Sequence, residues 1–330
     1  MVAAATGDLV SSPPHDLRST FELVVVEKKS AAAGVVSVLL AAQNDGPLPR
    51  WEPGAHIDAV LPCGIERQYS LCSDPADQHR WRIAVSLEPD SRGGSRYIHE
   101  HLEPGDTMLI GGPRNNFPLV PADSYVFIAG GIGITPILPM VARSAMLGTT
   151  WRLIYGGRSI GSMAFVDELA RYGSQVVFWP QDRLGLIDLP AILASPSDGC
   201  RVYCCGPEAL IAAAEQNSAH WPDGSFRCER FRPQPGATNG PDAPFDVYLA
   251  ESGLTVHVDP GQTIADAVQA AGVDVLLSCG EGTCGTCETG VIDGVPDHRD
   301  SVLTPEERAA NSTMMICCSR SLTPRLELDL

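Results

Sequence analysis

The sequence predicts a multidomain chain: an antiparallel β-barrel or sandwich, then an α/β domain on a parallel sheet, then a small acidic domain with a cysteine motif. Three observations carry this. From about Phe21 to Gly112 short strands alternate with turn residues; from Ser124 the rhythm becomes strand, turn, helix; and the last quarter gathers clustered cysteines and excess negative charge. At 330 residues with 44% apolar content, the chain is too long for one ordinary core and apolar enough for two or three.

Residues 1–19, with Ser11-Ser12-Pro13-Pro14 and no periodicity, read as a disordered tail. In 20–118, strands are expected at 21–27, 35–41, 56–61, 67–72, 81–87 and 107–110. Turn signals separate them, among them Asn44-Asp45-Gly46-Pro47, Pro53-Gly54 and Pro104-Gly105-Asp106. In 119–231, buried strands are expected at 125–129, 152–155, 175–179, 201–205 and 225–229, with helices at 136–146, 163–171 and 207–219. Residues 232–244, RPQPGATNGPDAP, read as an interdomain linker before a last domain, 245–330.

Charge and cysteine use narrow the function. A net charge of −17 argues against a nucleic-acid binder or an anionic membrane surface as partner. The final 85 residues hold fourteen acids against four Arg and no Lys, a net −10. Residues 125–142 carry no charge but include three Gly and two Pro, which suits strand, turn and helix better than a membrane span. The N-terminus lacks a basic segment followed by an apolar one, so no secretory signal is expected. Eleven cysteines, an odd and clustered set, point to metal or redox chemistry in a reducing, cytoplasmic setting.

The strongest motif is Cys279-x4-Cys284-x2-Cys287, with Cys317 after 29 further residues. This is the plant-type [2Fe–2S] spacing. Gly280, Gly282 and Gly285 let the loop curl around a cluster and aim N–H groups at its sulfurs. Zinc is disfavoured because the loop has only one short knuckle. Cys317 and Cys318 both compete as fourth ligand; strand alternation would let only one face the cluster, and Cys317 is favoured. Thr304-Pro305-Glu306-Glu307 is a capping box and predicts a short helix.

Three weaker motifs lie upstream. Arg67-Gln68-Tyr69-Ser70 is either a plain barrel strand or a flavin strand; Gly93-Gly94-Ser95-Arg96 opens a helical stretch suited to phosphate, with Arg92 and Arg96 as nearby charge. Gly130-Gly131-Ile132-Gly133-Ile134-Thr135-Pro136 follows a strand and lets the backbone approach a pyrophosphate, with Thr135 as N-cap and Pro136 at the first helical position. Cys204-Cys205-Gly206-Pro207 ends a later strand, where α/β sheets place ligands.

In this order the four motifs resemble the phthalate dioxygenase reductase and vanillate O-demethylase reductase family, from about residue 20 to 330. Asp297-His298-Arg299-Asp300-Ser301-Val302-Leu303 and the ending Leu326-Glu327-Leu328-Asp329-Leu330 are similar to it too. The resemblance implies an antiparallel flavin β-barrel, an α/β NAD domain and a β-grasp-like plant-type ferredoxin domain. It implies FMN rather than FAD, and NADH as donor. Arg67, Tyr69 and Ser70, then Ala84, Val85 and Ser86, match its flavin strands; Gly93, Gly94, Ser95 and Arg96 match its phosphate loop. Thr135 and Phe231 match residues near the flavin. Gly130, Gly131, Gly133, Pro136, Cys205, Gly206 and Pro207 match the nicotinamide side. Cys318 departs from the pattern, which has a Val-like residue there.

Ser70, as donor to flavin N5, and Cys205, beside the nicotinamide, are the expected catalytic residues. A flavin converts a two-electron hydride into the single electrons a [2Fe–2S] cluster accepts, while the protein positions both. The expected acceptor is a terminal Rieske-type oxygenase. The alternatives are a stand-alone iron–sulfur flavoprotein redox sensor, or a reductase of another acceptor. NADH is expected over NADPH because Arg158 is the one obvious cation after the second nucleotide strand.

Overall fold

The structure is a computed structural model and describes residues 20–89, 91–234 and 242–330. The expected tail, 1–19, and the middle of the expected linker lie outside the described residues.

The first sheet comprises β1 (Thr20–Ala32), β2 (Val35–Ala42), β3 (His56–Val60), β4 (Glu66–Ser70), β5 (Trp81–Ser86) and β6 (Thr107–Arg114), in the order β4-β3-β6-β1-β2-β5. All its pairings are antiparallel, and α1 (Gly94–Glu100) follows β5. β1 runs past its expected end at Glu27 because pairing with β2, through two register shifts, carries Lys28 to Ala32 along. On β3, Ile57 and Ala59 face the apolar core, whereas the alternate residues His56 and Asp58 are buried polar groups. Buried polar residues off the core face mark where another part of the chain must be met.

The second sheet is parallel: β7 (Ser124–Gly130), β8 (Thr150–Gly157), β9 (Val176–Pro180), β10 (Cys200–Cys205) and β11 (Phe226–Glu229), in the order β11-β10-β7-β8-β9. Helices α2 (Ile134–Leu147), α3 (Val166–Ala170), α4 (Gln181–Leu184), α5 (Leu189–Leu193) and α6 (Glu208–Asn217) cross between the strands. Period-two alternation divides its two faces. Phe127, Tyr203 and Cys205 join one apolar cluster, Val126, Ile128, Val202 and Cys204 the other. The first cluster also takes in Val35, Cys72, Ala84 and Phe117, so barrel and parallel sheet share an apolar seam.

Two expectations need correction here. The helix expected over 163–171 shrinks to α3, because Ser159 and Ser162 close a capping box around a 3-10 turn and Phe165 takes φ 61°. Thr135 is not an N-cap: the 3-10 turn Gly131–Gly133 leads straight into α2, and Thr135 is buried inside the helix, donating to the Ile132 carbonyl at 2.9 Å.

The third unit comprises β12 (Phe245–Leu249), β13 (Leu254–Val258), α7 (Ile264–Ala270), β14 (Glu288–Asp293), β15 (Pro296–Asp297), α8 (Pro305–Ala310), β16 (Thr313–Met315), β17 (Arg320–Ser321) and β18 (Arg325–Leu328). Its mixed sheet runs β13-β12-β18-β14-β16, with β12 and β18 parallel at the centre, a β-grasp-like α+β arrangement. The Thr304–Glu307 capping box opens α8 as its sequence predicts. Cys317 and Cys318 lie in the turn after β16, not on a strand, so strand alternation does not choose between them.

Candidate functional site

Chain order in the parallel sheet reverses between β7 and β10, neighbours in space but not in sequence. Open α/β sheets bind ligands in the crevice at such a switch, beyond the carboxyl ends of the strands. The turns flanking this crevice are Gly130–Gly133, after β7, and Cys205–Pro207, after β10. Their glycines have a structural reason. A Cβ on Gly133 would stand 2.3 Å from the Cys205 carbonyl oxygen, and one on Gly206 3.0 Å from the Gly130 Cα. Gly131 meets nothing, but its φ of 55° favours glycine. The two turns are thus pressed together, and Cys205, fully buried, faces the seam with the barrel.

The barrel contributes the facing wall. β5, with Ala84, Val85 and Ser86, lies against the Gly131–Gly133 turn. Arg67 lies over Gly94: a Cβ there would meet its Cγ at 2.8 Å, and its Nη2 donates to the Arg92 carbonyl at 2.9 Å. Gly93, at φ 97°, precedes α1. Ser95 bonds Ser91, and Arg96 is exposed on the same turn. Arg92 lies on the same turn, and its guanidinium pairs with Glu281 of the cysteine loop. Tyr69 packs at the rim of the barrel core, and Phe231 stands 42% exposed after β11.

At the nucleotide crevice, Glu229 escaped sequence reading. Glu229 ends β11 in register with Cys205, and its Oε2 is buried with no partner. Burial pushes its carboxyl up to about 8, and the Ser70 hydroxyl beside it offsets part of that rise. Burial first, then Glu229, raises the Cys205 thiol well above its ordinary value, so Cys205 is no thiolate nucleophile. Buried Ser70 and buried Cys205 therefore flank the half-buried Glu229 across the seam. An acid closing a short strand before a Pro/Gly-rich stretch was the available signal. Since the folded carboxyl ionises near 8 and the unfolded one near 4.5, unfolding releases a proton between those values. Stability should therefore fall as pH rises through that window, and Glu229→Gln should flatten the fall. Denaturant midpoints across the range, for both proteins without flavin, check this; equal slopes would refute it.

The cysteine loop runs from Ser278 to Cys287 between α7 and β14. Gly280, Gly282 and Gly285 all have positive φ, at 66°, 69° and 74°. The Glu281 and Thr283 amides point at Cys279 Sγ, at 3.3 and 3.5 Å. Cys284, Cys287 and Cys317 are buried, and Cys279 half-buried. Soft thiols, curled backbone and inward amides fit a [2Fe–2S] cluster held by Cys279, Cys284, Cys287 and Cys317. The barrel face behind this loop is His56, which burial and then Arg114 bring down to about 4, so it is neutral at physiological pH.

Residues 247–322 match the family model of the 2Fe-2S iron-sulfur cluster binding domain. The chain is 46% identical over 319 residues to the phenoxybenzoate dioxygenase subunit beta of Ectopseudomonas oleovorans, covering 94% of this chain and 99% of that one. It matches an intact type IV self-sufficient cytochrome P450 monooxygenase at 44% identity and TM-score 0.88, covering 94% of this chain and only 41% of that longer one. It matches phthalate dioxygenase reductase, described as carrying electrons from pyridine nucleotides to [2Fe-2S], at 34% identity and TM-score 0.69, covering 94% and 98%. With the three sheets and the cysteine loop in place, the chain belongs to the phthalate dioxygenase reductase and vanillate O-demethylase reductase family of oxidoreductases.

Proposed function

We propose that this protein draws electrons from NADH and passes them through FMN and a [2Fe–2S] cluster to a terminal Rieske-type oxygenase. The observation that carries the reading is the position of β4. Ser70 at its end faces Glu229 of the nucleotide sheet, and Gln68 bonds Ser278 of the cysteine loop at 2.6 Å. One strand therefore touches both the hydride-receiving crevice and the cluster loop. Bound there, the two cofactors would supply conversion of a hydride into single electrons.

The chain's own residues supply the rest. Arg67 and the Gly93-Gly94 turn hold the flavin phosphate, with Ser95 and Arg96 beside them. Tyr69, Ser70 and the β5 segment Ala84-Val85-Ser86 line the ring, with Thr135 and Phe231 closing it. The turns Gly130–Pro136 and Cys205–Pro207 seat the nicotinamide, and the bulk of Cys205 orients it while water is kept out. Arg158 alone offers little for a 2′-phosphate, which favours NADH. A cytoplasmic setting suits eleven cysteines of which none is paired. No helix of the described residues is long and apolar enough to cross a membrane. A second reading, supply of a haem monooxygenase, draws on the TM-score of 0.88 to part of a self-sufficient P450.

The test is anaerobic stopped flow. NADH should bleach the flavin bands and then the broad cluster absorption, and the reduced protein should reduce a Rieske-type oxygenase more slowly as salt rises, since the C-terminal domain carries −10. Cluster bleaching with no oxygenase reduction, but reduction of a P450, would favour the second reading. Arg67→Ala should weaken flavin retention about tenfold or more, the worth of one charge-assisted bond. Titration of the apoprotein with FMN reads this, and unchanged affinity would remove Arg67 from the phosphate site.

A further inference from the structure

Gln68 is the one residue of Arg67-Gln68-Tyr69-Ser70 with no part in holding the flavin. Strand alternation puts it on the same face as Glu66 and Ser70, about 7 Å from Ser70 along β4. Its Nε2 donates to Ser278 Oγ at 2.6 Å and to Asp58 Oδ1 at 3.1 Å. Ser278 Oγ in turn reaches Asp58 Oδ1 at 3.1 Å and also bonds Glu66. Asp58 is held from behind by Arg114 at 2.5 Å. Ser278 is the residue before the first cysteine of the loop. Further along, Asn116 Nδ2 donates to the Cys284 carbonyl at 2.8 Å, and a Cβ on Gly285 would fall 2.6 Å from that same nitrogen.

These contacts matter because little else joins the two units. Barrel and parallel sheet share an apolar cluster, but the apolar core of the C-terminal domain includes no residue of the other sheets. The loop's seat on the barrel is polar: Ser278, Glu281 and Cys284 on one side, Gln68, Asp58, Glu66, Arg92 and Asn116 on the other. The chemistry at position 68 is demanding. A carboxylate there would stand beside Asp58 and Glu66, and an apolar group would leave Ser278 between two carboxylates with no neutral donor.

Resting on the proposed function, we propose that Gln68, acting through Ser278, is a positioning residue that fixes the cysteine loop against the flavin strand and so sets the rate of electron transfer from barrel to cluster. The step moves one electron from the NADH-reduced flavin to the oxidised cluster, with no covalent bond made or broken. Gln68 touches neither centre.

The test uses the full-length holoprotein and Gln68→Ala, Ser278→Ala, the double variant and Ser278→Thr. Hydrogen exchange of the loop amides over 278–287 should speed about tenfold in both Ala variants, the effect of one lost bond to a charged network. Cluster reduction by NADH should slow several-fold, while flavin reduction and the paramagnetic resonance spectrum of the dithionite-reduced cluster stay as in the wild type. The double variant should be no worse than either single one, and Ser278→Thr, which keeps the hydroxyl, should restore both readouts. Wild-type exchange and wild-type cluster reduction in Gln68→Ala would overturn the proposal. So would slowing that comes with an altered resonance spectrum, since the ligand shell itself would then have changed. If NADH cannot bleach the wild-type cluster, the functional reading fails and the rate half of the proposal with it; the exchange comparison still decides the docking half.

Discussion

Cys284→Ser should leave a protein with its flavin in place and no cluster. Cys284 is 2% exposed, and its sulfur lies 3.1 Å from Thr286 Oγ1, inside the loop. A serine hydroxyl is a harder, less acidic donor than a thiol and does not replace a soft thiolate on iron. The peptide itself is held independently of the sulfur, because Asn116 bonds the Cys284 carbonyl. The loop therefore keeps its seat on the barrel while losing iron. Iron content and the broad visible absorption should fall to background, and reduction of a dye that takes electrons from flavin should persist. The C-terminal domain should also melt earlier, since ligand–metal bonds contribute to its folding. Cys318→Ser is the control. Cys318 packs over Gly282, where a Cβ would come within 2.4 Å of its sulfur, and is more exposed than Cys317. It should keep its cluster if Cys317 is the ligand. Full iron content in Cys284→Ser, or its loss in Cys318→Ser alone, would mean the ligand set is misassigned.

The parts of this fold written in local pattern were legible. Buried strands such as 125–129 and 202–205 are continuous apolar runs, and a parallel sheet needs such runs because both its faces are covered. The cysteine spacing was legible because ligand geometry fixes it within one loop. What local pattern could not carry was tertiary. Thr135 looks like an N-cap by residue type, yet the glycine turn before it supplies a 3-10 entry and Thr135 becomes an interior helix residue. Cys317 sits in a turn because β16 ends at Met315, a boundary that apolar residues running on through Ile316 conceal. Glu229 and Gln68 were missed for a shared reason. Each is a polar residue on a strand whose partner comes from another domain, Ser70 of the barrel for one and Ser278 of the cysteine loop for the other. No periodicity within a strand reports such a partner. His56 and Asp58 carried the faint version of that signal, as polar residues alternating with the core residues Ile57 and Ala59.

Gly133→Ala should be the most damaging single methyl addition in the nucleotide sheet. The new Cβ would stand 2.3 Å from the Cys205 carbonyl oxygen, 2.5 Å from its carbon and 2.6 Å from the Gly206 nitrogen. All three are backbone atoms of a turn fixed by parallel pairing of β10 with β7 and β11, so no side chain can swing aside. Relief requires the two turns to separate, which opens the crevice where the nicotinamide is expected. Overpacking of this kind costs about 3 kcal/mol, or of order 10 °C in melting temperature. Reduction of the flavin by NADH should fall steeply, while flavin content holds because Arg67 and Gly94 belong to the barrel. Two control variants separate the causes. Gly131→Ala meets no atom within 4 Å but must hold φ near 55°, so it should cost about 1 kcal/mol and spare the crevice. Gly161→Ala meets nothing and needs no unusual φ, so it should be neutral. If Gly133→Ala melted like Gly161→Ala and kept its rate with NADH, the contact between the two turns would not be what shapes the nucleotide crevice.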